Sequence, residues 1–344
     1  MTARKSRILP WRRIFVGLAG FALGLIFLSL AGANADLAQA AKIFRSADMT
    51  WIFTGIGVFG VDFLLRIVRW RGIVAHRSAV KWSLVARALF VGYAMNSLLP
   101  ARLGELFRAD YLAYLSRLPR SGILAAIFVE RLLDLLAVLL LLVMGLLLAG
   151  VQNPTMDQAA LAGLLVSGLS AAVVAMAVFG PLRRKARDLL LRVTGRMKSA
   201  AWAQRVVGAI RNFVDLLQIV GTWRFACSVA WTVLIWAAEA LAIYSICRAV
   251  DVTLTPLALI TLIGGASLST LIPTGPGYVG SYQLAYVIVL QQFHISETAA
   301  LVAATAVQIY LIGVYTALGL LMWITAILCI ARRPASIANE ESGF

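Results

Sequence analysis

Long apolar runs restrict this chain to one kind of fold. Several reach the roughly 20 residues that an α-helix needs to cross a bilayer, among them 122–151. Hydrophobic residues make up 61% of the sequence and charged residues 13%, against roughly 25% charged in soluble domains. In hydrocarbon, a helix satisfies its backbone polar groups internally. The sequence therefore predicts an all-α polytopic integral membrane protein, a single transmembrane domain (1–344) with a bundle of about six to nine membrane segments.

Two of the apolar stretches contain a proline and a glycine that interrupt the predicted helix, at the same spacing in both stretches. Asn-Ser-Leu-Leu-Pro-Ala-Arg-Leu-Gly (96–104) and Ser-Thr-Leu-Ile-Pro-Thr-Gly-Pro-Gly (269–277) place a proline and a glycine at equal spacing. Proline and glycine break a helical ladder. Interrupted spans at corresponding positions of two halves are typical of a transporter site at the membrane midplane. A chance match within an apolar alphabet is the alternative. The predicted turn residues are Asn96, Pro100, Gly104, Pro273, Gly275, Gly277 and Gly280.

The positive charge is concentrated at the ends of the apolar spans. The net charge of +16 could indicate nucleic acid binding, but lysine and arginine at span ends set topology and meet anionic headgroups instead. Their distribution predicts that the first interrupted hairpin enters from the cytoplasm and the second from outside, as an inverted repeat requires. The predicted halves are about 51–180 and 224–331, joined by a basic cytoplasmic loop at 182–223.

Three segments leave alternatives open. The apolar run Ile14–Leu30 precedes Ala-Asn-Ala, so it is either an uncleaved first helix, which its length favours, or a signal peptide. Apolar residues spaced through 206–217 fit either an amphipathic interfacial helix or an ordinary positive-inside loop. Residues 298–330 exceed one straight crossing, so they form a tilted helix, a helix kinked near Gly313 or Gly319, or two segments.

Ionisable groups within the apolar spans are the candidate site residues, because each costs about 2.5–3.5 kcal/mol on insertion scales. In one interpretation they form a polar cavity, in which Arg102 and Arg108 contact a phosphate headgroup through the planar guanidinium fork. The acids would then orient the arginines or bind a cationic group. In the other, the charges are internal ion pairs that hold the bundle together. The candidate substrate-binding residues are Arg102, Glu105, Arg108, Glu130, Arg131, Asp134 and Glu239.

Other chemistry has little support in the sequence. The glycines at 275, 277 and 280 match a dinucleotide fingerprint only by spacing, since no soluble strand precedes them and no acid follows about 20 residues on. They fit exposed backbone N–H groups that meet an anion, or a tight membrane turn. The three cysteines lack metal or disulfide spacing, and His76 and His294 stand apart. We expect no metal, no cofactor and no catalytic triad.

Three stretches resemble a known family. They are Asn-Ser-Leu-Leu-Pro-Ala-Arg-Leu-Gly-Glu-Leu-Phe-Arg (96–108), Val-Glu-Arg-Leu-Leu-Asp (129–134) and Ile-Pro-Thr-Gly-Pro-Gly-Tyr-Val-Gly-Ser-Tyr (272–282). They are similar to the lysylphosphatidylglycerol synthase transmembrane-region, or flippase-like, family over roughly residues 10–332. The resemblance implies a link to lipid translocation or lipid-linked glycan metabolism, including hopanoid or polyprenyl-lipid pathways. Some members carry a soluble aminoacyl-transferase domain, which we expect this chain to lack. Related sequences often have Glu where this chain has Ser281-Tyr282, so a symmetric acidic pair is not expected.

These observations lead to one preferred function and two alternatives. The preferred function is a lipid transporter or flippase-like protein of the bacterial inner membrane, with both termini cytoplasmic, that handles an amphiphile with an anionic headgroup. The alternatives are an integral-membrane enzyme that uses Glu130 or Asp134 as a general base and an accessory subunit of a lipid-biosynthesis enzyme. The expected partners are membrane lipids and, for the accessory role, such an enzyme; nucleic acid is not expected. The sequence does not indicate an oligomeric state.

Overall fold

The computed structural model describes residues 10–74, 80–99, 102–116, 118–149, 168 and 222–331. The helices, in chain order, are α1 (Pro10–Ala31), α2 (Leu37–Arg45), α3 (Met49–Val74), α4 (Trp82–Leu98), α5 (Gly104–Ser116), α6 (Arg120–Ala149), α7 (Thr222–Ala249), α8 (Pro256–Ser269), α9 (Ser281–Gln291), α10 (Glu297–Val307) and α11 (Val314–Ala331).

The predicted fold class is confirmed. No strand occurs in the part of the chain that the structure describes. Within that part, four helical stretches are long and apolar enough to cross a membrane: Met49–Val74, Arg120–Ala149, Ala226–Ala249 and Glu297–Thr325. Two shorter apolar helical stretches are Ala19–Ala31, which precedes the first of these, and Pro256–Ser269, which lies between the third and the fourth. The chain is therefore a multi-pass helical membrane protein.

Both interruptions predicted from proline and glycine separate two helices that pack on each other. The first, turn 1, lies between the end of α4 at Leu98 and the start of α5 at Gly104; Pro100 is outside the described residues. The second, turn 2, runs from Thr270 to Gly280 and contains a short 3₁₀ turn, Pro276–Tyr278. α4 packs against α5, and α8 packs against α9. The membrane side from which each hairpin enters stays a prediction.

The helices fall into two sets with the same order: a long helix, a two-helix hairpin and a long span. The first set is α3 to α6 and the second is α7 to α11. The two leading helices, α3 and α7, pack along each other, while α6 packs against α8 and α11 against α4. The closing span of each set thus covers the hairpin of the other set. The division into halves remains a prediction, because its boundary at 180 and most of the loop 182–223 lie outside the described residues.

Glycines permit the two crossings between the sets. A methyl group added to Gly145 of α6 would overlap Thr261 of α8, and one added to Gly319 of α11 would overlap the carbonyl of Phe90 in α4. Without side chains at these points the backbones approach closely, as small residues allow in membrane helices. The cavity described below lies between the two sets that these crossings join.

The final apolar stretch is one continuous helical span. A π-helical segment, Gln308–Gly313, lies between α10 and α11. This local widening falls at the predicted position near Gly313, so the alternative of two separate membrane segments is not observed. π-segments inside helices occur frequently at functional sites.

One boundary differs from the sequence expectation. In the sequence, the apolar run 51–68 contains Asp62 and Arg66 at i, i+4, a spacing that allows pairing on one helix face. The basic residues that follow it from Arg69 onward predict a cytoplasmic loop, but α3 continues to Val74. Arg69 is 1% exposed and lies inside the bundle. Its positive charge indicated a loop, whereas an ion pair in the interior accounts for it. The proposed amphipathic helix at 206–217 lies outside the described residues.

Candidate functional site

A cavity of about 130 Å³ lies between the two helix sets and touches both turns. This space is large enough for several water molecules, since a site for one needs about 10–15 Å³. A neighbouring cavity of about 290 Å³ shares part of its wall. Both cavities are lined by Arg102, Arg131, Asp134, Trp236 and Ser267.

The two turns meet at the cavity through Arg102. Its Nη2 donates a hydrogen bond of 2.7 Å to Oγ1 of Thr270 in turn 2. The backbone of Arg102 has φ of 53°, an uncommon left-handed conformation for a residue other than glycine. Its Nε is buried without a hydrogen-bond partner. No carboxylate among the described residues lies within ion-pair distance of this arginine.

The other arginines around the site are engaged by carboxylates. Arg69 donates from Nη1 and Nη2 to the carboxylate of Asp134, at 2.6 and 3.1 Å, and also to Thr232 at 2.8 Å. Arg131 lies 3.2 Å from Glu105 and 2.9 Å from Glu130. Charged groups removed from water are stable when they are paired and hydrogen-bonded in this way.

Arg108 and Glu130 form a buried pair behind the cavity wall. Arg108 Nη2 donates to Glu130 Oε2 at 2.7 Å, and both side chains are at most 2% exposed. The guanidinium also stacks on the indole of Trp70, with its centre 3.5 Å from the ring. Neither residue lines the described cavities. The structure thus places both residues behind the wall of the cavities, and a contact between Arg108 and a headgroup stays a prediction.

Arg66 connects the two leading helices. Its Nε donates to Asp62 at 2.7 Å, and its Nη2 donates to Glu239 of α7 at 2.5 Å. The i, i+4 pairing with Asp62 agrees with the sequence. Glu239 lines the cavity and its side chain is 21% exposed, so the bridge between the sets borders the cavity.

In the second helix set, the side chains that hold turn 2 are neutral amides, those of Gln283 and Gln308. Gln308 donates to the carbonyl of Gly277 and accepts from Gln283, both at 2.5 Å. Gln283 in turn accepts from the N–H of Gly280 at 2.8 Å. This chain of hydrogen bonds fastens turn 2 to the first residue of the π-segment.

Helix α1 packs directly on turn 2. A Cβ atom added to Gly20 would lie 2.9 Å from the carbonyl oxygen of Pro273, and one added to Gly24 would lie 2.9 Å from that of Val279. Gly280 has φ of 91° and lies against the backbone of Gly24. The first apolar run is therefore a helix that supports the turn.

Of the residues predicted from the sequence, the structure brings most to the site. Arg102, Arg131, Asp134, Glu239 and the turn residue Asn96 line the first cavity, and Glu105 lines the second. Gly104 packs under Gly92 and Asn96. Sequence reasoning did not select Arg66, Arg69, Tyr93, Trp236, Gln283 and Gln308. For two of them a signal exists, since Asp62, Arg66 and Arg69 recur at helical spacing on one face.

The arrangement is suited to bind an anion. Among the residues that the structure describes, five arginines and five carboxylates lie in or behind the cavity walls, and each of these carboxylates contacts an arginine. Within the same residues, Arg102 uses one of its five N–H donors, in the bond to Thr270, and it lines both cavities. A planar guanidinium in this state can bind a phosphate or carboxylate through two parallel hydrogen bonds.

Together the helix-break-helix hairpins, the spanning helices and the buried charge network define a polytopic membrane protein with a polar interior site. Residues 16–319 match the family model of the lysylphosphatidylglycerol synthase TM region, and the chain belongs to this family. The chain is also 26% identical over 321 residues to the protein named glycosyltransferase AglD of Haloferax volcanii. That alignment covers 85% of this chain and 51% of AglD, so the chain spans about half the length of this relative. No solved structure matches the chain.

Proposed function

We propose that the protein binds and moves an amphiphile with an anionic headgroup across the bacterial inner membrane, with the headgroup in the cavity between the two turns. The observation that supports this most directly is Arg102, a cation beside the cavity without a carboxylate partner among the described residues. An unneutralised charge in a membrane interior is costly. A ligand that supplies the missing negative charge removes that cost.

The surrounding network keeps Arg102 available. Glu105 and Glu130 both contact Arg131, and Asp134, which lines the same cavities as Arg102, is paired with Arg69, so these acids of α5 and α6 are already engaged. The tie between Arg102 and Thr270 couples the headgroup site to both turns at once. A movement of either hairpin would therefore change the position of the guanidinium that holds the ligand.

The comparisons support a role in lipid chemistry more broadly. The family is named for a lysylphosphatidylglycerol synthase and the relative for a glycosyltransferase. We place this chain in lipid or lipid-linked glycan metabolism on that basis. With both termini in the cytoplasm, the basic segments would face the anionic inner leaflet.

Proteoliposomes provide the test. Wild-type protein, reconstituted with fluorescent phosphatidylglycerol, should make the labelled lipid of the inner leaflet accessible to an impermeant quencher. Arg102→Ala should slow this movement by about 10- to 100-fold, since a hydrogen bond to a charged group contributes about 1.5–3 kcal/mol. Arg102→Lys should retain part of the activity, because the charge remains but the fork is lost.

The matched control is Arg120→Ala. Arg120 pairs with Asp110 at the surface, and both side chains are more than half exposed, so its removal should leave the rate unchanged. Movement by the Arg102→Ala protein at the wild-type rate would contradict the proposed site. Mass spectrometry of the recovered lipid separates transport, which leaves it unaltered, from an enzymatic reaction.

A further inference from the structure

An apolar groove lies beside the charged cavity, between α6, α7 and α8. It encloses about 420 Å³. Its walls are leucine, isoleucine, methionine, valine and alanine side chains, together with Trp236 and the hydroxyl-bearing Thr232. Several wall residues are also exposed at the outer surface of the helices, including Leu140 at 52% and Val233 at 63%. The groove therefore opens toward the hydrocarbon of the bilayer.

Trp236 forms the boundary between the groove and the charged cavities. Its side chain lines the apolar groove and both polar cavities. It is 9% exposed, and its indole Nε1 has no hydrogen-bond partner among the described residues. Ile263 of α8 also lines both the groove and the central cavity. An apolar space and a charged space thus meet at one side chain.

We propose that the groove binds one hydrocarbon chain of the same amphiphile whose anionic headgroup lies at Arg102. This rests on the proposed function and names a second part of its site. The groove and the polar cavities adjoin at Trp236. A single amphiphile can therefore place its headgroup at Arg102, on one side of this residue, and its chain in the groove on the other side. Charge supports it too, because the polar side of Trp236 offers an arginine with free donors and the other side offers almost only carbon. The unpartnered indole N–H gives a donor for an oxygen in the linkage between headgroup and chain.

The proposal places the ligand across a lateral opening of the bundle. The ion pairs come from α3, α5, α6 and α7, and the groove lies beside them along α6, α7 and α8. Its exposed wall residues lead to the outer surface of the bundle. An amphiphile bound there keeps its charged end inside and its chain in contact with the bilayer. Its chain does not have to enter the polar cavity.

Photolabelling tests this arrangement directly. The probe is phosphatidylglycerol with a diazirine in one acyl chain, presented to wild-type protein in phosphatidylcholine vesicles. After irradiation, peptide mass spectrometry should find label at groove residues such as Leu136, Leu140, Val233 and Ala240. Arg102→Ala should reduce this labelling at least tenfold, because the chain is held there by its headgroup.

A second pair of variants blocks the groove without touching the headgroup site. Ala240→Trp fills the groove at α7, whereas Ala230→Trp adds the same side chain at an exposed position of α7 that does not line it. The first should abolish the groove labelling and lower lipid movement at least tenfold. The second should leave both as in wild type.

The outcomes distinguish the two proposals. Groove labelling that is insensitive to Arg102→Ala, with normal movement by the Ala240→Trp protein, would show an ordinary lipid-facing surface and overturn the groove proposal. Arg102-dependent labelling at other helices would overturn the groove but leave the headgroup site intact. If Arg102→Ala changes the labelling of no position in the protein, the proposed function itself is overturned.

Discussion

Glu130 is surrounded by arginines from three helices. It accepts hydrogen bonds from Arg108 and Arg131, and Arg69 lies 3.4 Å away. It is 1% exposed and lines neither of the two polar cavities. Its role is to neutralise cations that would otherwise be uncompensated in a low-dielectric interior, and this keeps the cavity wall in place.

Glu130→Gln should therefore act on stability. Removing one partner of a buried pair costs about 3–5 kcal/mol because a buried charge is left unpaired. We expect a lower unfolding temperature in detergent, measured by thermal denaturation. Asp110→Asn is the control, since its pair with Arg120 is exposed and such pairs contribute about 0–1 kcal/mol.

A double substitution tests whether the loss of stability comes from the cations that Glu130→Gln leaves unpaired. Arg108→Met combined with Glu130→Gln removes one of the uncompensated cations, so part of the lost stability should return. Additive losses in the double variant would show that the two residues do not act as a pair.

At the scale of elements, turn 2 depends on backbone conformations that only glycine adopts without strain. Gly277 has φ of 70° with open space around it, whereas Gly280 has φ of 91° and contacts α1. Gly57 in α3 is a helical glycine with no atom within 4 Å of an added Cβ. An alanine at Gly57 would meet neither backbone strain nor crowding, one at Gly277 would meet strain alone, and one at Gly280 would meet both.

The three alanine substitutions should form an ordered series. Gly57→Ala should stabilise the helix slightly, by about 0.5–1 kcal/mol. Gly277→Ala should cost about 1–2 kcal/mol from the left-handed conformation alone. Gly280→Ala should cost the most, because its methyl group also displaces α1. Thermal unfolding in detergent ranks them, and equal effects at 277 and 280 would contradict the contact with α1.

The sequence predicted the elements better than it predicted their partners. The two interruptions were predictable because proline and glycine act locally on the backbone. Arg69 was misplaced because charge was taken as a sign of a loop, while its partners Asp134 and Thr232 are 65 and 163 residues away. Pairings over such intervals depend on helix packing, and a single sequence does not reveal them. Most of the charged groups around the cavities were selected from the sequence as ionisable residues in apolar spans, but Arg66 and Arg69 were not. Which arginine lacks a carboxylate partner among the described residues required the structure.

At the scale of the whole molecule, the inverted arrangement of the two hairpins is open to test. In a background without Cys227, Cys247 and Cys329, we expect Arg120→Cys to react with an impermeant maleimide only from the cytoplasm. Gln291→Cys, at the end of the second hairpin, should react only from the opposite side. Labelling of both positions from one side would contradict the predicted repeat.

The two helix sets share an order of elements but not a distribution of charge. Arginines and acids are concentrated in the first set, whereas residues 252–331 contain Glu297 as their one acidic or basic residue apart from His294. If the two hairpins face opposite leaflets, as the sequence predicts, an amphiphile handled in the proposed way would meet guanidinium groups at the first hairpin and amides and glycine backbone at the second. The two entrances would then differ in chemistry although the helices around them follow the same order. An anionic headgroup would load preferentially from the leaflet of the first hairpin, with no additional gate.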